Sequence, residues 1–239
     1  MTKSVALGRP APRALGVIAV LLTFASGASD VASFTRLGNV FTSVMTGNMA
    51  VFGLSLARGS LSLALHTLLA VCGYVLGVGT GIRLVWFRAQ PGTVPSTGGG
   101  ARSGDGWPPR LRLTLLAECV LYTGVVIGWE LTGSRPAGVA QYVLLVIAAC
   151  GMGIQSAATN EMGLGNVSTT YLTGTLTGLV SAIARRNGQP VGWRRQSVLL
   201  GLLAGAALCG LCIANTPAFA PLLPLAAVSA ATAILGAYG

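Results

Sequence analysis

Charged side chains are scarce in this chain of 239 residues. They make up 8% of it, against about a quarter in an ordinary soluble domain. Only five acidic residues and one histidine are present, which leaves few groups for metal binding or proton transfer. Neither GxxxxGK[ST] nor HExxH occurs. We therefore expect no enzyme, no catalytic or metal site and no cofactor.

Long apolar runs take the place of charge. Hydrophobic residues make up 53% of the chain, and six runs have about the 20 residues of a spanning helix. These runs are 14–30, 61–87, 111–131, 137–158, 196–215 and 218–238. They predict an all-α, polytopic membrane protein in contact with the lipid bilayer. The first run also has the outline of a signal peptide, but the polar segment after it recurs in mid-chain, which favours a retained helix.

Two polar segments interrupt the apolar runs. LGNVFTSVMTGN covers residues 37–48 and LGNVSTTYLTGT covers 164–175. Laid over each other at an offset of 127, residues 37–58 and 164–185 match at nine of 22 positions without a gap. The match predicts two internal repeats, residues 1–131 with a flexible connector at 88–110, and residues 137–239.

The direction of the repeats depends on whether the polar segments cross the membrane. If both dip in and return, there are six spans and inverted repeats. Twelve basic residues then face the cytoplasm with both termini, and three face out. If both cross, there are eight spans, parallel repeats and a nine-to-six division. The distribution of basic residues favours the inverted arrangement, and these residues are too dispersed for a nucleic-acid partner. The length of the polar segment favours a crossing instead, since 40–57 as one helix would reach about 27 Å, nearly the thickness of the hydrocarbon core.

The polar segments have the residue types of a solute site. Asn39 and Asn166 can each cap a following helix. Threonines four positions apart share a helical face, as close-packing positions or as a binding stripe. A helix interrupted at each TGN or TGT would expose backbone amides to a cavity. The predicted solute-binding residues are Asp30, Asn39, Thr42, Thr46, Gly47, Asn48, Gln155, Asn166, Thr169, Thr173, Gly174 and Thr175.

Two carboxyl groups fall inside or beside the spans. Asp30 closes the first run and is either an ion or proton site or the partner of Arg36. Glu118 lies seven residues into its run and is a second possible ion or proton site; its carboxyl group is protonated, paired to an arginine or facing water. Glycines recur at four-residue spacing in three runs, which predicts close packing inside the protein or between the subunits of a homo-oligomer. They are Gly73, Gly77, Gly81, Gly124, Gly128, Gly201 and Gly205.

The chain resembles the YoaK-like family of bacterial multi-pass inner-membrane proteins. The resemblance rests on SGASDVASFTRLGNVFTSVMTGN (26–48) and GIQSAATNEMGLGNVSTTYLTGTLTGL (153–179). It implies about six spans in the bacterial plasma membrane and supplies no substrate. The motif positions it carries over are Asp30, Thr46, Gly47, Asn48, Gln155, Thr173 and Gly174. One departure is the setting of the acid, which is Ala-Ser-Asp-Val-Ala at 28–32.

Two functions compete. The first is a secondary transporter or channel for a small polar or anionic solute, bound between the two polar segments. The second is a membrane scaffold or accessory subunit that uses its glycine faces to bind partner helices.

Overall fold

The computed structural model describes residues 12–86, 110–164, 177, 180–181 and 193–237, and the regular secondary structure in these ranges is entirely helical. Seven α-helices fall in these ranges, together with a 3₁₀ turn at Pro217–Phe219. They are α1 (Pro12–Arg36), α2 (Met45–Ala57), α3 (Leu61–Trp86), α4 (Leu111–Leu131), α5 (Val139–Glu161), α6 (Trp193–Asn215) and α7 (Leu222–Gly236). All but α2 are long and apolar enough to cross a membrane, α7 together with the 3₁₀ turn before it. The prediction of an all-α fold with six spans is confirmed.

Many large apolar side chains face outward. Leu61, Val120, Leu131 and Val139 are each at least 70% exposed. In water such a surface would be unfavourable, whereas acyl chains cover it at no cost. The exposed surface of the bundle is therefore suited to lipid.

Glycines bring the long helices into backbone contact. A Cβ added at any of four glycines would meet a carbonyl oxygen of the facing helix, so no larger residue fits there. The facing pairs are Gly73 with Val146, Gly77 with Cys150, Gly201 with Val20 and Gly205 with Phe24. The predicted close packing is thus internal, between α3 and α5 and between α1 and α6. Gly124 differs, because nothing lies within 4 Å of its added Cβ.

Helices α1 and α5 run in opposite directions. Gln141, near the start of α5, donates to the backbone oxygen of Arg36, the last residue of α1. Gln155, fourteen positions further along α5, donates to Leu22, fourteen positions earlier in α1. The eight-span alternative, in which these two helices would run in parallel, does not fit this geometry.

The first polar segment enters and leaves the bundle at the same end. Gly38 has a positive φ of 104° and lies against the His66 ring in the second turn of α3. His66 also hydrogen-bonds Gln141 at 3.2 Å, which places the start of α3 beside the end of α1 and the start of α5. Between these points the chain runs back along α1, since Ser33 donates to the Val40 carbonyl oxygen. The segment is re-entrant, and the 13 residues of α2 are too short to span.

Three local predictions are wrong. The first helix does not end at Asp30 but continues to Arg36. Asn39 is exposed, has φ 59° and caps no helix, because α2 begins only at Met45. The helix is not interrupted at Thr46, Gly47 and Asn48, which form its first turn. The irregular backbone lies before them, at residues 37–44.

Candidate functional site

The carboxylate of Asp30 holds the re-entrant segment against α1. Its Oδ1 accepts hydrogen bonds from the Thr42 N–H at 2.9 Å, the Thr42 hydroxyl at 3.0 Å and the Ser43 N–H at 2.8 Å. Its Oδ2 accepts from the Ser43 hydroxyl at 2.5 Å. Four donors around one carboxyl suit its ionised form, which only accepts. Asp30 lies about 9 Å inside the Arg36 end of α1, at a rise of 1.5 Å per residue.

Asn48 secures the other side of the same segment. Its side chain accepts from the Phe41 N–H at 2.8 Å and donates to the Phe41 carbonyl oxygen at 2.6 Å. An amide side chain can satisfy both backbone groups of one residue, because it carries a donor and an acceptor. Asn48 is fully buried, so its polar atoms hold the loop in place.

A chain of hydroxyl groups links this segment to α4. Tyr122 donates to Ser29 at 2.8 Å, and Ser29 and Thr42 lie 2.9 Å apart through their hydroxyl oxygens. The Thr42 hydroxyl hydrogen goes to Asp30, so the Ser29 hydroxyl is the donor to Thr42. Hydrogen bonds therefore run in one direction, from Tyr122 through Ser29 and Thr42 to Asp30. All four side chains are buried.

Glu118 lies one helical turn from Tyr122 and has a different environment. Its side chain is 0% exposed, and neither carboxyl oxygen has a hydrogen-bond partner among the residues that the structure describes. Gln155 on α5 is 5% exposed. Its amide nitrogen donates to the Leu22 carbonyl at 3.1 Å and the Ser26 hydroxyl at 2.9 Å, while its Oε1 has no partner in the described ranges.

A largely apolar cavity of about 340 Å³ opens beside the re-entrant segment. The cavity is lined by Phe34, Phe41 and Val44, and also by Leu202 of α6. The Phe34 and Phe41 rings stack with centroids 5.1 Å apart. Asp30 borders the cavity, but its carboxyl oxygens are already occupied by Thr42 and Ser43. The cavity therefore offers apolar contact. Among the described residues, the buried side-chain atoms without a hydrogen-bond partner are both carboxyl oxygens of Glu118 on α4 and Oε1 of Gln155 on α5.

The structure brings together part of the predicted site. Asp30, Thr42, Asn48, Gln155 and Glu118 are buried in the bundle, whereas Thr46 is exposed. Thr42 lies outside α2, so the predicted face shared with Thr46 is wrong for this pair. The counterparts in the second polar segment lie outside the described residues: Asn166, Thr169, Thr173, Gly174 and Thr175.

Sequence reasoning missed several residues of the site. Ser26, Ser29 and Ser33 contribute hydroxyls from α1, and Ser43 and Tyr122 complete the network. A signal for the first three was present, since they recur every three or four positions on the helix that carries Asp30. Tyr122 follows Glu118 by four positions and so shares its helical face.

Comparison with known proteins agrees with this architecture. Residues 18–235 match the family model described as "Protein of unknown function (DUF1275)". The UPF0700 transmembrane protein YoaK of Bacillus subtilis (strain 168) is 28% identical over 167 residues, which cover 70% of this chain and 66% of that protein, just under two thirds of its length. No solved structure matches the chain. The resemblance to YoaK-like proteins is confirmed, and this multi-pass membrane protein belongs to the DUF1275 family.

Proposed function

We propose that the protein is a secondary transporter or channel for a small polar or anionic solute. One observation carries the proposal: a re-entrant segment in the membrane-spanning bundle lies against a buried polar network contributed by α1 and α4. Backbone that is irregular at membrane depth is stable only where protein or a watery cavity meets it. Transporters place their binding sites beside such segments. The proposal assigns solute binding and passage to these side chains, and no chemical reaction.

The pattern of helix contacts supports two inverted repeats. The glycines of α3 and their counterparts in α6 are 128 positions apart, and their contact residues in α5 and α1 are 126 positions apart. The same close backbone contact therefore occurs twice: α3 of the first repeat packs on α5 of the second, and α6 of the second repeat packs on α1 of the first. Because α1 and α5 are antiparallel, the repeats that this pattern implies are inverted. Inverted repeats can exchange conformations across the membrane, which is how many transporters alternate access.

We further propose that the protein lies in the bacterial inner membrane with both termini cytoplasmic. The positive-inside rule supports this orientation. It predicts that single cysteines replacing Arg58 and Arg135, in a cysteine-free background, react in intact cells with a thiol reagent that cannot cross the membrane. A cysteine replacing Arg110 is protected. The reverse pattern would contradict this orientation. Labelling of Arg58→Cys from the side opposite to an Arg36→Cys variant would rule out re-entry, because only the polar segment and α2 lie between these two positions.

Solute movement is tested in proteoliposomes. The purified protein is screened against a panel of small neutral, zwitterionic and anionic solutes, with protein-free vesicles as the blank. We expect saturable uptake of at least one solute.

Two tyrosines provide matched variants. Tyr122 donates to Ser29, and Tyr74 donates to Ser156, both at 2.8 Å, but only Tyr122 belongs to the network that reaches Asp30. We expect Tyr122→Phe to lower uptake several-fold at unchanged membrane abundance, and Tyr74→Phe to leave it near the wild-type rate. Equal rates in both variants, or no uptake of any solute by the wild type, would contradict the proposal.

A second candidate function, a scaffold or homo-oligomer, is favoured by glycines on the outer surface. Gly53, Gly79 and Gly124 have nothing within 4 Å of an added Cβ, so another helix could approach them closely. Extraction in a mild detergent followed by light scattering tests this function. A stoichiometric partner or a second copy supports it, and a chain that runs alone argues against it.

A further inference from the structure

Glu118 is a buried acid that has no hydrogen-bond partner among the residues that the structure describes. Removing an ionised carboxylate from water without a compensating charge or donor is so unfavourable that such groups take up a proton instead. Asp30 avoids this situation because four donors surround it. No hydrogen-bond donor among the described residues reaches either carboxyl oxygen of Glu118. Its neutral, protonated form is therefore the one that this environment accommodates.

Gln155 supplies the acceptor that a protonated Glu118 needs. Both hydrogen bonds of its amide nitrogen go to α1, to the Leu22 carbonyl and the Ser26 hydroxyl. The amide cannot be turned over, because its oxygen would then face the Leu22 carbonyl oxygen, which has no hydrogen to donate. Gln155 Oε1 is thereby directed away from α1, and it lacks a donor among the residues that the structure describes.

The register of α4 and α5 places these two side chains at the same level. Gly128 lies against Leu144, and Gly151 lies against Tyr122 with Glu118 beside it. One further turn along both antiparallel helices brings Glu118 opposite Gln155. A single proton on Glu118 would convert one unpaired acceptor into a donor and give Gln155 Oε1 its partner.

We propose that Glu118 binds one proton inside the bundle and shares it with Gln155 Oε1. In the transporter proposed above, release of that proton accompanies the movement of solute. Only this coupling rests on the proposed function; proton binding does not. The proton leaves as a hydrated proton and returns from water, so no other reactant is needed. Asp30 has the separate task of holding the re-entrant segment.

Few other ionisable groups surround Glu118. Its own helix also carries Arg112, Cys119, Tyr122 and Glu130. Both Glu118 and Asp30 of α1 interact electrostatically with Tyr122. Helix α7, which packs on α4, has no ionisable side chain. In α5 the ionisable residues are Tyr142, Cys150 and Glu161. Those of α3 are His66, Cys72, Tyr74 and Arg83, of which His66 and Tyr74 are hydrogen-bonded to Gln141 and Ser156.

Infrared spectroscopy of the protein in lipid tests proton binding directly, without knowledge of the solute. A protonated carboxyl group has a carbonyl stretch that is separate from the carboxylate bands and shifts in D₂O. We expect this band at neutral pH in the wild type and its complete loss in Glu118→Gln. Asp30→Asn and Glu130→Gln, the latter an exposed acid on the same helix, retain it. Gln155→Leu shifts the band to the position of a carboxyl group without an acceptor.

The outcomes separate the two proposals. The proton site is refuted if the wild type has no such band, or if Glu118→Gln retains it. It is also refuted if NaCl at constant pH abolishes the band, since a metal cation would then occupy the site. If the band behaves as expected and no solute moves in vesicles, the proton site stands and the transport proposal fails. With transport, Glu118→Gln removes the acceleration by a pH gradient and retains solute exchange.

Discussion

Asp30 and Glu118 are two buried carboxyl groups in one bundle with opposite surroundings. Asp30 accepts four hydrogen bonds, two of them from backbone N–H groups of the re-entrant segment. Glu118 accepts none from the described residues. An acid whose acceptor positions are filled is a structural element, because moving it breaks the loop. An acid that accepts no hydrogen bond from the loop can change its protonation state without releasing the re-entrant segment, and so it can serve in function.

The largest expected change in stability follows from substitution of Asp30. Asp30→Ala leaves two buried N–H groups and two hydroxyls without their acceptor, which costs on the order of 3 kcal/mol. We expect a large fall in the unfolding temperature in detergent and low abundance in the membrane. Ala28→Ser, a similarly small change two positions away on the same helix, serves as a control for general perturbation of α1. An Asp30→Ala protein as stable as the wild type would remove the structural half of the comparison.

A smaller effect is expected at Glu118. Glu118→Met removes the carboxyl group together with the hydrogen bond proposed to Gln155 Oε1, at a cost of about 1–2 kcal/mol. The unfolding temperature should fall less than in Asp30→Ala, while any acceleration of transport by a pH gradient is lost. Thermal unfolding of Glu118→Met beside Asp30→Ala measures the contrast directly. A loss of stability as large as that of Asp30→Ala would mean that Glu118 is a structural element too.

The smallest effect concerns the connection between the two regions. Ser29→Ala removes the hydroxyl that joins Tyr122 to Thr42, at a cost of about 1 kcal/mol. Ser156→Ala removes the acceptor of Tyr74 and should cost about the same. The two variants should differ in transport, where only Ser29→Ala lowers the rate. Equal rates would show that the hydroxyl chain has no part in passage.

The six spans could be predicted from sequence because length and apolarity are local properties. The end of α1 could not. Polar residues after Asp30 suggested a helix end. The Thr35 hydroxyl, however, donates to the Val31 carbonyl oxygen one turn back, and the Ser33 hydroxyl donates to the Val40 carbonyl oxygen of the re-entrant segment. These polar groups are therefore satisfied in a helix that continues to Arg36. The interruption was predicted at Thr46 and Gly47 and lies at 37–44, where Asp30 supplies acceptors from twelve or more positions away. No local rule detects such a partner.

The site was predicted in part for the same reason. Asp30, Gln155 and Glu118 were singled out because polar groups are rare in apolar helices. The distinction between the two acids depends on which donors the fold brings to each, and that is decided by tertiary contacts. The pairing of Asn48 with Phe41 also depends on the turn at Gly38 and Asn39, whose positive φ angles return the chain towards α1.

The exchange of helix partners has a consequence for biosynthesis. Helix α1 packs mainly on α6 and α7, while α5 packs mainly on α3 and α4. Helix α1 therefore meets its main neighbours only after Asn215 has been translated. Until then Gly27, whose added Cβ would lie 2.2 Å from the Leu202 carbonyl oxygen of α6, has no facing helix. A chain truncated after Leu131 would lack the main partner helices of both α1 and α3.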